Sequence, residues 1–431
     1  MPTQLEAARE GRVTPEMVAV ARSEGVEPDD LARDVALGVT TIPSNVRRGR
    51  EPAHARAVGR GLKVKTNANI GTSRDSCEIE RELAKLRAAE AAGADSVMDL
   101  STAGDLRAQR KRLLGETRLL FGTVPIYDAA VRVTEAGGTI LDMTPDAMID
   151  AVRRHAEDGV DFVTVHCGVT RRSIASLGDV DDGEARVCGV VSRGGSFLSR
   201  WIQKHDAENP LYERYDEILE LAREFDLTLS LGDGLRPGAL ADAGDEAQVA
   251  ELVEISSLVA RAREKGVQTI VEGPGHVPLH EVRSQIETAK KLTRGAPLYV
   301  LGPIVTDVAA GYDHIAAAIG GAIAGWVGAD FLCVVTPAEH LSLPGPEDVR
   351  QGVIGARIAA HAADVARGIP GAREWDEEVS RARRSMDWQT VLARLLDPEH
   401  ARCVREAGLP RDPDTCSMCG PYCAFRPPVR K

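Results

Sequence analysis

The feature that most constrains this chain is a rhythm of nine apolar, β-prone runs, each closing in or near a Gly, Asn, Asp or His. They are KVKTNANIG (63–71), DSVMDLS (95–101), FGTVPIYD (121–128), DFVTVHCG (161–168), VCGVVSRGG (187–195), LTLSLGDG (227–234), QTIVEGPGHV (268–277), PLYVLGPI (297–304) and ADFLCVVTP (329–337). Between most of them lie stretches such as EIERELAKLRAAEAAG, YDEILELAREF and EAQVAELVEISSLVARAREKG, apolar at three- and four-residue spacing, as amphipathic helices require. Strand alternating with helix implies a parallel sheet, and near-continuous apolar strands imply a sheet covered on both faces. The span from residue 63 to about 340 suits a (β/α)8 barrel, typically about 250 residues, better than an open doubly wound sheet. A barrel needs eight strands. One of the nine, with SRGG or CVVTP the suspect segments, is therefore expected to lie outside it.

The flanks read differently. Residues 1–60 predict short helices, with Thr14 as N-cap and Pro15 at the first helical position, then the loop TTIPSN. Residues 61–345 are assigned to the catalytic barrel, 346–408 to a small helical bundle, and 409–431 to a flexible tail carrying cysteines. With 431 residues, 43% apolar, the chain can bury one large core with smaller appendages. A net charge of −12 argues against nucleic acid or an anionic membrane as partner. The N-terminus lacks the basic start and apolar run of a secretory signal. The stretch Ile315–Gly328 falls short of the roughly 20 residues that span a bilayer, so it predicts a buried helix of small residues. Cys77, Cys167, Cys188, Cys333 and Cys403 are scattered without paired spacing, which suits a reducing cytoplasm.

Barrel chemistry sits at the C-terminal ends of the strands. Here those ends carry Asn67, Asn69, Asp99, Tyr127, His166, Ser192, Arg193, Asp233, Arg236, Glu272 and His276, a convergence that packing does not explain. VSRGGS is a Gly-rich turn whose backbone N–H groups, with Ser192 and Arg193, suit a phosphate. GDGLRPG adds Asp233 and Arg236 in a second turn suited to ribose hydroxyls or another anion. Neither matches a nucleoside-triphosphate or dinucleotide fingerprint. EGPGH bends Glu272 and His276 toward one point, and His340 follows the last run, so the two histidines form a minimal divalent-metal pair with open positions.

The tail CSMCGPYC places Cys416, Cys419 and Cys423 within eight residues. Iron–sulfur clusters and structural zinc are both normally held by four protein ligands. Three thiolates leave one position open for substrate or cofactor on iron, or for a ligand from elsewhere on zinc. A redox dithiol lacks the βαβ surroundings it usually has.

Taken together, NANIGTS, VMDLS, GTVPIYDA, VSRGGS, SLGDGLRPG, EGPGHVP, YVLGPIVTDVAAGYDHI, VTPAEHLSLP and CSMCG resemble the phosphomethylpyrimidine synthase (ThiC) family, in order and over essentially the whole chain. The resemblance implies a radical S-adenosylmethionine enzyme of thiamine biosynthesis that converts 5-aminoimidazole ribonucleotide to 4-amino-5-hydroxymethyl-2-methylpyrimidine phosphate, with loss of formate and carbon monoxide. It implies substrate contacts at Asn69, Met98, Tyr127, His166, Ser192, Arg193, Gly194, Asp233, Gly234, Leu235, Arg236, Glu272 and Tyr299. His276 and His340 would hold zinc, and Cys416, Cys419 and Cys423 a 4Fe-4S cluster. A homodimer that places the cluster arm of one subunit over the barrel of the other, and an electron donor such as flavodoxin or ferredoxin, are also implied. The three-residue gap between Cys419 and Cys423 resembles the short members, whose longer relatives carry an extra N-terminal domain. Cys167 stands where alanine is common, either as a packed hydrophobe or as a hydrogen donor in a radical step. Three other readings remain at this point: a paralogue making 5-hydroxybenzimidazole from the same substrate, a zinc-dependent barrel hydrolase, and a non-catalytic metabolite-binding module.

Overall fold

In the computed structural model, which describes residues 2–49, 51–178, 186–408 and 414–426, eight of the nine runs become strands of one closed parallel barrel. A short antiparallel ladder of β1 (Thr40–Thr41) and β2 (Val58–Gly59) precedes it. The barrel strands are β3 (Lys65–Ile70), β4 (Ser96–Asp99), β5 (Leu120–Thr123), β6 (Phe162–Val165), β7 (Thr228–Leu231), β8 (Thr269–Gly273), β9 (Leu298–Leu301) and β10 (Phe331–Cys333). They pair in chain order, and β10 closes on β3 with Phe331 opposite Lys65 and Cys333 opposite Asn67.

The run at 187–195 is the surplus one. Its valines mimic a strand, but Ser192 is the N-cap of a helix, Arg193–His205, and its hydroxyl accepts the Gly195 N–H at 3.3 Å. Two consecutive glycines at the start of that helix lower its apparent propensity and hide it from pattern reading. CVVTP, the other suspect, contributes Cys333 to β10.

Alternation along the strands fills the barrel. Gly122 makes room inside, since a Cβ there would lie 2.2 Å from the Phe162 ring. Phe162 and Phe331 then meet edge to face at 6.3 Å between centroids, and Tyr299 lies 4.5 Å from Phe331. Outside, the helices cover the sheet with Leu83, Leu86, Leu113, Ile218, Leu258 and Ile286, all buried.

The N-terminal segment closes the end of the barrel from which the strands start. Thr3 Oγ1 donates to Gly266 O at 2.6 Å, the Gln4 N–H donates to Asp226 Oδ2 at 3.0 Å, and Asn45 Nδ2 donates to the carbonyls of Ala156 and Val160 at 2.8 Å. Thr14 caps the helix Pro15–Glu24 as its sequence predicts. With that end covered, the strand C-termini form the open face.

The apolar stretch at 315–328 forms the helix Asp313–Val327. It is buried on one face only. Ala316, Gly320, Gly321 and Ala324 pack inward, with a Cβ at Gly320 falling 2.0 Å from Pro303 O, while Ile315, Ile319 and Trp326 are exposed. No helix among the described residues is long and apolar enough to cross a membrane. The chain divides into two compact units between Ala363 and Asp364. The second contains the helices Ala372–Arg384, Trp388–Arg394 and Pro398–Ala407 and the cysteine segment.

Candidate active site

Because side chains alternate along each strand, the last inward position of every strand meets at the open face. The result is a cavity of about 260 Å³ to which Asn69, Met98, Tyr127 and His166 contribute from one half of the barrel. Ser192, Arg193, Asp233, Arg236, Glu272 and Tyr299 contribute from the other. Of the expected substrate contacts, Gly194, Gly234 and Leu235 do not line it. They shape it instead, because a Cβ at Gly194 would lie 2.2 Å from the His166 ring and one at Gly195 would lie 2.1 Å from Gly234 O, so the two turns are pressed together at backbone distance.

His166 is buried, and burial followed by the nearby Arg236 charge pulls its pKa down to about 3, so the imidazole is neutral. Ser192 Oγ lies 3.2 Å from its Nε2. That hydroxyl accepts the Gly195 N–H and keeps a second lone pair, so which of the two atoms donates depends on the tautomer of the ring. The His166 Nδ1 is buried without a partner. A buried ring nitrogen left without a partner at a cavity wall is costly unless a ligand satisfies it.

Asp233 and Arg236 pair at 2.9 Å. Burial pushes Asp233 up to about 7 against the pull of Arg236, while burial works to lower Arg236 and is outweighed by the Asp233 charge and hydrogen bond, which leave it above its ordinary value. Glu272 Oε1 accepts from Thr164 and Ser230, each at 2.7 Å, which fixes its carboxylate on the floor. The Arg193 guanidinium stands 4.9 Å over the Tyr127 ring, and burial raises the Tyr127 phenol. Asn67 lies beneath the mouth, donating to Tyr299 OH at 2.7 Å and to Asn69 Oδ1 at 3.0 Å. Asp99 turns away to accept from the Ser101 amide at 3.0 Å.

Several cavity residues escape a reading of strand ends. Thr164 and Cys333 sit one alternation inside their runs, and Glu339 precedes His340 in the following loop. Cys333 accepts from Asn69 Nδ2 at 3.1 Å, and burial pushes its thiol up to about 12, so it stays protonated. Period-two alternation from Phe331 along β10 points it inward. Cys167 is fully buried in the main core and does not line the cavity, and burial raises its thiol far above the ordinary range. Glu251, on the helix Glu246–Glu264, was also missed. Its Oε2 accepts the Leu235 N–H at 2.7 Å beneath the second turn, and burial pushes it up to about 8.

Beside the cavity, the rings of His276 and His340 lie 5.2 Å apart between centroids. His276 is buried and His340 is about two-fifths exposed at the side chain. Two imidazole nitrogen donors with room for further ligands suit zinc or another first-row divalent ion.

In the second unit, the three tail cysteines wind onto one turn. Gly420 N donates to Cys416 O at 3.1 Å, Tyr422 N to Cys419 O at 3.0 Å, and Cys423 N to Gly420 O at 3.2 Å. Backbone N–H groups of Cys419 and Met418 draw the Cys416 thiol below its ordinary range, and Cys419 is raised by burial and by its neighbours Cys416 and Cys423. The donor chemistry fits iron or zinc. No three His, Cys, Asp or Glu among the described residues already stand as a metal cage. The linker expected to make this an arm, 409–413, lies outside the described residues.

Residues 3–428 match the model of the radical SAM ThiC family. The chain belongs to that family. It is 54% identical over 424 residues to a phosphomethylpyrimidine synthase of Moorella thermoacetica, covering 98% of this chain and 97% of that protein. It is 51% identical over 425 residues to one from Desulforamulus reducens, with 98% and 97% covered. A third, from Dehalococcoides mccartyi, is 53% identical over 423 residues, with 98% and 96% covered. Membership in a radical SAM family makes this chain an enzyme that uses S-adenosylmethionine and an iron–sulfur cluster.

Proposed function

We propose that the chain is a phosphomethylpyrimidine synthase that rebuilds 5-aminoimidazole ribonucleotide into 4-amino-5-hydroxymethyl-2-methylpyrimidine phosphate for thiamine biosynthesis. The observation that carries this reading is the pairing of two glycine turns with an unpartnered His166 Nδ1 at the wall of one cavity. The N-terminus of the 13-residue helix Arg193–His205 presents free N–H groups beside Ser192 and Arg193, a setting for the substrate phosphate. Asp233 and Arg236 suit the ribose hydroxyls, and Asn69, Glu272 and Tyr299 suit the aminoimidazole edge. Cys416, Cys419 and Cys423 would hold a 4Fe-4S cluster with one iron position left for S-adenosylmethionine. When bound, that pair supplies the 5′-deoxyadenosyl radical that starts the rearrangement.

The protein's own work is positioning. His166, held neutral, offers its unpartnered Nδ1 to the substrate, and Glu272, fixed by two hydroxyls, accepts from the substrate without reorienting. His276 and His340 would hold zinc at the rim as an electrostatic anchor. A homodimer, a flavodoxin- or ferredoxin-type electron donor and a cytoplasmic setting complete the proposal.

The test is anaerobic purification followed by iron and sulfide assay, then reductant-dependent release of 5′-deoxyadenosine with and without 5-aminoimidazole ribonucleotide. Near four irons per chain, substrate-stimulated nucleoside release and the pyrimidine phosphate by mass spectrometry are expected. Colourless protein holding only zinc would return the hydrolase reading. A benzimidazole product would transfer the chain to the paralogous activity.

A further inference from the structure

The segment YVLGPIVTDVAAGYDHI carries two aspartates to which no role has been given, and both face the histidine pair. It leads from β9 to the helix Asp313–Val327. Asp307 Oδ1 lies 2.7 Å from His276 Nδ1, and Asp307 Oδ2 accepts the Leu240 N–H at 2.9 Å. Both oxygens are committed, so the carboxylate cannot swing away without losing a bond. Asp313 is 1% exposed, and its Oδ2 lies 3.1 Å from His340 Nδ1 while making no hydrogen bond in this structure. One loop thus delivers one carboxylate to the same ring atom of each histidine. No hydrogen bond from the described residues reaches either Nε2.

An imidazole binds a metal through its unprotonated nitrogen, and a carboxylate at Nδ1 holds the proton there, fixes the ring and makes Nε2 more basic. We infer that Asp307 and Asp313 are positioning residues that hold His276 and His340 with Nε2 turned toward a shared divalent cation. The inference rests on the reading that this pair binds a metal. It also answers a charge problem. Two imidazoles bring no negative charge to a dication, and the two carboxylates balance it at one remove. The competing account of Asp313 is that an acid in the first turn of a helix merely favours the helix dipole. That account predicts lost stability and unchanged metal affinity.

The experiment uses the full chain stripped of metal, with zinc affinity read by competition against a chromophoric chelator at fixed pH. Asp307→Ala removes a partly exposed side chain, and Asp313→Asn keeps the volume of a buried one. Each is expected to weaken zinc binding about 10- to 100-fold with the thermal midpoint unchanged. In the metal-free protein, ring-nitrogen NMR is expected to show His276 protonated at Nδ1 in the wild type and as mixed tautomers in Asp307→Ala. Wild-type zinc affinity in both variants, with His276→Ala binding none, would overturn the inference while leaving the metal site standing. A lowered midpoint with unchanged affinity in Asp313→Asn would assign that residue to the helix alone. If the wild type itself binds no zinc, iron or cobalt, the metal reading fails and takes the inference with it.

Discussion

At the barrel mouth, Ser192 pairs with His166, Glu272 with Thr164 and Ser230, and Asn67 with Tyr299, each beside or on a strand of the closed barrel, and most are buried. In the second unit, three thiols ride on a turn closed by backbone bonds, flanked by Met418 and Tyr422, each 91% exposed. The helices beneath it bury little beyond Ala372, Ala382 and Val391. The barrel site is therefore built before any ligand arrives, since a packed sheet fixes the geometry. The cysteine turn has too few contacts to do that, so its final geometry must come from what it ligates. Substitutions should separate the two: at the turn they should remove chemistry and spare folding, and at the mouth they should cost folding energy.

The largest expected effect is Cys416→Ala. Iron and sulfide should fall to background and turnover below detection, while the thermal midpoint moves by less than about 2 °C because the residue lies outside any large core. A midpoint that dropped by much more would mean that the turn supports the fold, and the contrast would fail.

Gly195→Ala tests the other half. A Cβ there meets Gly234 O at 2.1 Å, and backbone cannot rotate aside as a side chain can. Overpacking of this kind costs about 1–3 kcal/mol, readable as a shifted urea midpoint with unchanged slope. Gly115→Ala is the control, since nothing lies within 4 Å of its Cβ and it sits inside the helix Leu106–Glu116. It should stabilise by about 0.5–1 kcal/mol. Equal effects at the two glycines would show that the turns are not pressed together.

These two glycines also show how much the sequence discloses. Period and punctuation reveal which runs are strands and where their polar ends lie, because both follow from local chemistry, and so Asn69, Tyr127, His166, Asp233 and Glu272 could be read directly. The role of Gly195 depends on Gly234, 39 positions away, and no local pattern encodes that contact. Likewise Glu251 reads as one more acid on a helix surface, and only the packed structure buries it beneath Leu235. Cys333 was legible in principle, since alternation from Phe331 points it inward, but a three-residue strand gives the pattern too little length to register.

Glu251 gives a smaller effect with a definite sign. Its pKa is raised to about 8 in the fold from an ordinary 4.5, so between those values the native state binds more protons than the unfolded chain. Stability must then fall as pH rises through that window and level off above it. Asp226 and Asp233, each raised to about 7, act in the same direction. Glu251→Gln keeps an acceptor for the Leu235 N–H and removes the ionisation, so its stability should fall less steeply. The gap over the wild type at pH 9 should exceed that at pH 5 by roughly 1–2 kcal/mol. Parallel curves would mean that Glu251 is hydrated and does not hold the turn from a buried position.

The smallest effect lies back in the second unit. Trp388 Nε1 donates to Asp414 O at 3.0 Å, just before the cysteines, and the Arg405 guanidinium stands 3.7 Å over the same ring. Trp388→Phe keeps a ring for Arg405 and removes the donor, a net loss of about 1 kcal/mol, or about five-fold in opening. Hydrogen exchange on metal-free protein should show the amides of Gly420, Tyr422 and Cys423 exchanging only a few-fold faster, with the amides of β3–β10 unaffected. Reconstitution with iron and sulfide should slow those three amides in both proteins to similar rates, because ligation then outweighs the tryptophan bond. If the variant's amides stayed fast after reconstitution, the turn would owe its order to the helices beneath it, and the difference between the two regions would be one of degree.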